Sequence, residues 1–248
     1  MFKMIVFDLD WTLSLSRSQM DNEMIELFKE LLTKYKVAII SWGWYWQFRK
    51  QVVDFLWTDE NILKNLYLCP TCSTKMYLYK KHSFEEIYSL DLTKDEKNYI
   101  ISTLKRVIKE LNLEPEKTWW NTIDDRDTQI SYVILWIDAV YKDKIVWDPD
   151  FAKRKKILEN IKDDFKDYDV LAAWTTTIDI TKKWVNKAYW IRKISEISWI
   201  DLDEMIFVWD AIFPGWNDYP PLEIWVTSKR VFWVEDTKKY IRFLNEIG

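Results

Sequence analysis

The stretch MIVFDLDWTLSLSR, residues 4–17, opens with four apolar residues and ends that run on two carboxylates two apart, Asp8 and Asp10. A short apolar run bounded by polar residues is the pattern of a strand buried on both faces of a parallel sheet. Two further segments repeat it: Val37 to Ile40 stops at Ser41, and Met205 to Val208 stops at the pair Trp209-Asp210. Helical stretches such as DNEMIELFKELLTKY lie between them. Strands and helices in alternation predict an α/β fold with a parallel sheet. Ligands of such sheets bind beyond the carboxyl ends of the strands, so Asp8, Asp10, Ser41 and Asp210 are expected along one edge.

The middle of the chain has a different rhythm. A helical segment, LTKDEKNYIISTLKRVIKEL, is followed by TQISYVILWID, the basic helical segment DFAKRKKILENIKDDF, and DVLAAWTTTIDIT. This order predicts an α+β unit over residues 81–183 with its own antiparallel sheet, inserted into a discontinuous core of residues 1–80 and 184–248.

Composition narrows the function classes. The chain has 248 residues, 48% of them hydrophobic and 31% charged, with a net charge of −4 and a pI near 5.3. Mild acidity offers no general electrostatic case for nucleic acid. MFKMIVFDLD reaches acidic residues before an apolar stretch could act as a signal peptide, and no apolar run is long enough to span a bilayer. A cytoplasmic protein with no membrane or nucleic-acid partner is expected; a homodimer is one open oligomeric state. Cys69 and Cys72 form a single C-x-x-C, and His82 is the one histidine. A structural zinc would want two more ligands, and NLYLCPTCSTKMYLY reads as strand, turn, strand rather than a helix start, so an inert turn is expected.

Carboxylates gathered at a sheet edge suit phosphate chemistry with Mg²⁺, which takes one or two carboxylates plus phosphate and water oxygens. One carboxylate can attack phosphorus while a second moves a proton. A solvated acidic strand end is the plainer alternative, and the set and its order decide between them.

The set resembles the haloacid dehalogenase superfamily. DLDWTL is similar to its first motif, D-x-D-G-T, with Trp11 in place of Gly; Ser41 matches the second motif and Lys187 in WVNKAYW the third. VWDAIFPGWNDYP is similar to the fourth, G-D-x(n)-G-G-N-D, with Trp209 and Trp216 in place of Gly. An insert between the second and third motifs resembles the type-two cap of subfamily IIB sugar phosphatases and of eukaryotic-type phosphomannomutases. The resemblance implies Asp8 as nucleophile and Asp10 as acid and base. It also implies Mg²⁺ held by Asp8, the Asp10 carbonyl and Asp210, with Ser41 and Lys187 on the phosphoryl group and Asn217 and Asp218 in support. In the cap, DDRDTQISY resembles a phosphomannomutase strand, which makes Arg126 an anchor for a phosphate; Thr177, Asp179 and, in the core, Arg17 are the other implied substrate contacts. The second cap arginine is absent, with Ile137-Asp138 in its place. Three functions follow as expectations: a phosphatase of a phosphorylated sugar, a phosphomannomutase, and a binding protein without turnover.

Trp11 is part of a wider anomaly, since the chain holds 17 Trp and only 3 Gly, against an ordinary glycine share of about 7%. Trp at 11, 42, 44, 46, 57, 120, 136, 174, 184, 190, 199, 209, 216, 225 and 233 occupies glycine-like contexts; Trp119 and Trp147 do not. The expectation is that UGA codons read as glycine by the source were rendered here as Trp; a Trp-rich surface for stacking on sugars is the rival. UGA codons at these positions are the expected result of nucleotide sequencing, and UGG at position 11 or 209 rejects it.

Overall fold

A computed structural model describes residues 2–56, 59–71, 74–114, 122–135, 146–173, 176–185, 187–210 and 226–248. The chain divides into two compact units, residues 1–89 with 185–248, and residues 90–184.

The first unit is built on a seven-stranded sheet of order β11-β10-β1-β2-β3-β4-β5. Its strands are β1 (Met4–Asp8), β2 (Lys36–Ile40), β3 (Leu66–Cys69), β4 (Lys75–Lys80), β5 (Ser83–Ser89), β10 (Met205–Trp209) and β11 (Thr227–Arg230). The pairs from β11 through β3 are parallel, and the β3-β4 and β4-β5 pairs are antiparallel. β1 and β10 are buried along their whole length, which is why both read as unbroken apolar runs. On one face of the sheet Ile5, Phe7, Val37, Ile39, Leu66, Leu68, Ile206 and Val208 join a core with α1 (Asn22–Lys34), the short helix α3 (Glu60–Leu63) and the C-terminal helix α7 (Val234–Ile247). Met4, Val6, Ala38, Ile40, Phe207 and Trp209, also buried, belong to the opposite face.

α1 starts at Asp21, whose carboxylate accepts from the Met24 N–H at 2.9 Å. That carboxylate also pairs with Lys238 of α7 at 2.7 Å, and Lys238, 4% exposed, is shared with Glu23 and Glu235. Arg242 adds a second pairing to Glu23.

The second unit has a four-stranded antiparallel sheet, β6-β7-β9-β8, of Ile123–Asp125, Gln129–Val133, Thr177–Lys182 and Tyr168–Ala173. Its helix α4 (Lys94–Glu110) starts with a capping box: the Glu96 N–H donates to the Thr93 hydroxyl and the Thr93 N–H to the Glu96 carboxylate. Ile130, Tyr132, Ile178 and Ile180 pack against Ile100, Leu104 and Val107 of α4 and Ile157 and Ile161 of α5 (Ala152–Ile161). The alternate residues Gln129, Ser131, Asp179 and Thr181 form a polar, buried set on the other face.

One boundary differs from the sequence expectation. β5 hydrogen-bonds to β4 and is an edge of the large sheet, so the change at Lys81 falls in a hairpin turn and the second unit begins at residue 90. Among the described residues no helix is long and apolar enough to cross a membrane.

The Lys238 cluster generates a prediction. Burial works against ionisation of Asp21, but the Lys238 and Met24 hydrogen bonds outweigh it and hold that carboxyl below its ordinary range; Lys238 does the same to Glu23. Carboxylates depressed in the folded state stabilise it above their unfolded pKa and lose that contribution as pH falls through the folded value. Lys238→Met is expected to lower the urea midpoint at neutral pH, and the gap from wild type to narrow as pH falls below the carboxylate range. A constant gap across pH contradicts this.

Candidate active site

The parallel register aligns the strand tips. Asp8 stands opposite Ile40 of β2, which Ser41 follows, and Phe7 opposite Val208 of β10, so Trp209 and Asp210 end that strand at the same edge. Asp8 and Ser41 are buried, at 8% and 3% exposure. The Ser41 N–H donates to the Cys69 carbonyl at 3.2 Å, and its hydroxyl accepts from the Gly43 N–H at 3.1 Å. Thr12 sits at 3.5 Å from Asp210 Oδ1, a long contact linking the loop after β1 to the tip of β10.

That loop is a tight one. Trp11 has φ 63°, and its N–H donates to the Ser14 carbonyl at 2.7 Å, while the Leu13 and Ser14 N–H groups return to Leu9. A positive φ brings a Cβ against the backbone, a penalty that glycine lacks. Arg17, also at positive φ, donates its main-chain N–H to Asp10 Oδ1 at 2.8 Å. Arg17, which the resemblance implies as a substrate contact, thus adjoins Asp10 through its main chain. Burial pushes the Asp10 carboxyl above its ordinary range and the neighbouring Asp8 charge adds to this, while the Arg17 N–H and the Gln51 amide pull the other way. A raised carboxyl beside an ionisable partner is the environment of a proton-transfer group.

Two residues missed by sequence reading touch Asp10. Gln47 and Gln51 of α2 (Tyr45–Gln51) donate to Oδ2 at 3.2 Å and Oδ1 at 3.3 Å. The available signal was a pair of amides at i, i+4 on the first helix after Ser41. Lys187 is the first residue of α6 (Lys187–Ser198). Asn217 and Asp218 lie outside the described residues, as do Ile137, Asp138 and Cys72. Cys69 is buried, and burial pushes its thiol up, away from the thiolate that redox chemistry uses.

The second unit carries its own polar cluster. Arg126, in the β6-β7 turn, donates to Asp124 Oδ2 at 3.0 Å. Gln129 donates to Ser131 Oγ at 2.8 Å, and Ser131 in turn to Asp179 Oδ1 at 2.5 Å. Thr177 begins β9, half-buried, two residues before Asp179. Burial pushes the Asp179 carboxyl up, opposed by Arg126 and by the Ser131 and Gln129 hydrogen bonds.

A family model described as haloacid dehalogenase-like hydrolase matches residues 5–212. The chain belongs to the haloacid dehalogenase-like hydrolases. Several solved structures share its fold. Plasmodium falciparum IMP-nucleotidase matches at 16% identity and TM-score 0.72, covering 100% of this chain and 63% of its own. Its N-terminally truncated, IMP-bound form matches at 17% and 0.66, covering 97% and 67%. Aspergillus fumigatus trehalose-6-phosphate phosphatase matches at 11% and 0.56, covering 99% and 93%. The chain thus spans about two thirds of the nucleotidase and nearly all of the trehalose-6-phosphate phosphatase. At these identities the likeness concerns the fold alone. No curated protein sequence matches the chain.

Asp179 gives a test in the second unit. Its folded pKa lies above the unfolded one, so the folded state holds the proton more tightly and stability falls as pH rises from the ordinary carboxylate range through the raised value. Asp179→Asn is expected to flatten that limb in urea unfolding measured across pH. An unchanged slope contradicts it.

Proposed function

We propose that the chain is a Mg²⁺-dependent phosphohydrolase of subfamily IIB type, acting on a phosphorylated sugar through an aspartyl-phosphate on Asp8. The observation that carries this reading is the register that brings Asp8, Ser41 and Asp210 to one strand edge, with Asp10 half-buried two residues after Asp8. In the first step an Asp8 oxygen attacks phosphorus, the bond from phosphorus to the sugar oxygen breaks, and Asp10 gives that oxygen its proton. In the second step Asp10 takes a proton from water, which attacks phosphorus and frees Asp8 and inorganic phosphate. The Ser41 hydroxyl and Lys187 would hold the non-bridging phosphoryl oxygens, with Asn217 and Asp218 orienting Lys187 or the metal waters.

The donor set fits Mg²⁺: two carboxylates, Asp8 and Asp210, and the Asp10 carbonyl are all hard oxygens. Among the described residues no three His, Cys, Asp or Glu side chains gather as a metal group, so such an ion would complete its shell from main-chain, water and phosphate oxygens. When bound, it would offset negative charge between nucleophile and phosphate.

Arg126, Thr177 and Asp179 are the proposed substrate contacts of the second unit. A phosphomannomutase would have to hold a second phosphate while the sugar turns, and the missing second cap arginine favours hydrolysis. Glycine at the 15 Trp positions is part of the same proposal. Trp11, Trp184 and Trp199 have positive φ, and among the described residues the indole N–H groups of the buried Trp190 and Trp209 have no acceptor. Bulky residues are rare at positive φ, and an unpaired buried donor costs about 1–3 kcal/mol. If the Trp residues are native, a binding protein without turnover is the alternative.

The test is phosphate release with Mg²⁺ from a panel of hexose phosphates, trehalose 6-phosphate and IMP, by the chain as written and by the form with glycine at the 15 positions. Release from sugar phosphates by the glycine form is expected, with Asp8→Asn lowering its rate by roughly three orders of magnitude or more. Release from IMP alone moves the substrate class to nucleotides. Bisphosphate-dependent exchange of mannose 1- and 6-phosphates without release favours the mutase, and silence of both forms favours the binding protein.

A further inference from the structure

Asp10 lies under the first helix after β2. Gln47 and Gln51 are four residues apart on α2 and so share a face of it. Each amide takes a different oxygen of the Asp10 carboxylate, and the Arg17 N–H completes the set. Gln51, 1% exposed, is itself anchored, because Nε2 also reaches Ser14 Oγ and the Ser18 carbonyl at 3.0 Å each. Two hydrogens serve three acceptors, so the amide ties the whole loop from Asp10 to Ser18 to the helix. Gln47 is confined from its other side by Gly43: a Cβ there would stand 2.4 Å from Gln47 Oε1, so the bare backbone of residue 43 is what leaves room for the amide.

We propose that Gln47 and Gln51 are positioning residues that fix the two oxygens of Asp10 for proton exchange with the substrate oxygen. The inference rests on the reading of Asp10 as the proton-transfer group. Neither glutamine titrates or touches the phosphoryl group in this scheme; both act through the carboxylate. A proton transfer of this kind contributes roughly 10²–10⁴-fold to a rate, and misplacing the carboxylate forfeits part of that.

The consequence is a dependence on leaving group. An alkyl phosphate needs its departing oxygen protonated, whereas p-nitrophenyl phosphate leaves as a stable phenolate. In the form of the chain active in the phosphate-release assay, Gln47→Met is expected to lower kcat/KM for an alkyl phosphate about tenfold more than for p-nitrophenyl phosphate. Gly43→Ala, which pushes the Gln47 amide aside, is expected to do the same. Gln51→Met also loosens the loop, so these two variants keep the test open if it fails to fold. Equal losses on both substrates, or none, overturn the proposal. A crystal structure of the Gln47→Met/Gln51→Met double variant gives a readout without turnover: a reoriented Asp10 carboxylate is expected, and an unmoved one overturns the proposal. Wild-type protein inactive on both substrates, with Asp10 displaced in the double variant, defeats the phosphohydrolase reading and leaves the positioning intact.

Discussion

The alignment of Asp8, Ser41 and Asp210 depends on the parallel pairing of β1 between β2 and β10. Hydrogen bonds along both sides of one five-residue strand set the level at which three distant parts of the chain stop. Side chains alternate between faces along a strand, so a one-residue slip in either pairing would exchange the core and opposite-face sets. The apolar residues of both faces therefore hold Asp8, Ser41 and Asp210 in line as a by-product of their own burial.

What was legible in the sequence follows from that division of labour. Burial on both faces writes an unbroken apolar run, so β1, β2 and β10 and the residues that end them could be read directly. The amphipathic helices α1 and α4 were readable through their 3.6-residue period, as was the antiparallel hairpin after Cys69 through its turn. β5 was not, because SFEEIYS is an edge strand with half-exposed residues and no contrast from one face to the other. The glutamines on α2 were silent for another reason. Periodicity reports which side of a helix is buried, but not which acceptor a buried amide meets, and that partner lies about 40 positions earlier in the chain. Arg17 shows a related limit: the main-chain N–H that bonds Asp10 is a group every residue but proline carries, so no residue type announces it.

The tryptophans bring two unrelated physical tensions to the same residue type. At Trp11 the difficulty is torsional, because a turn that closes on Ser14 needs a left-handed backbone. At Trp209 it is one of polarity, because an indole nitrogen is enclosed at the last position of a fully buried strand, stacked on Phe207. A single side-chain deletion to hydrogen relieves both. In the second unit, by contrast, the enclosed polar groups are paired with one another: Asp179, Ser131 and Gln129 form a chain of donors and acceptors across adjacent strands.

The strand order has a consequence for biosynthesis. β1 is made well before one of its two partners, since β10 begins at residue 205. Until β10 has been made, one edge of β1, buried along its whole length in the fold, presents an open row of peptide groups, a template for pairing with the wrong chain. The nascent chain is therefore open to aggregation along the strand that ends at Asp8 until β10 (Met205–Trp209) emerges to close it.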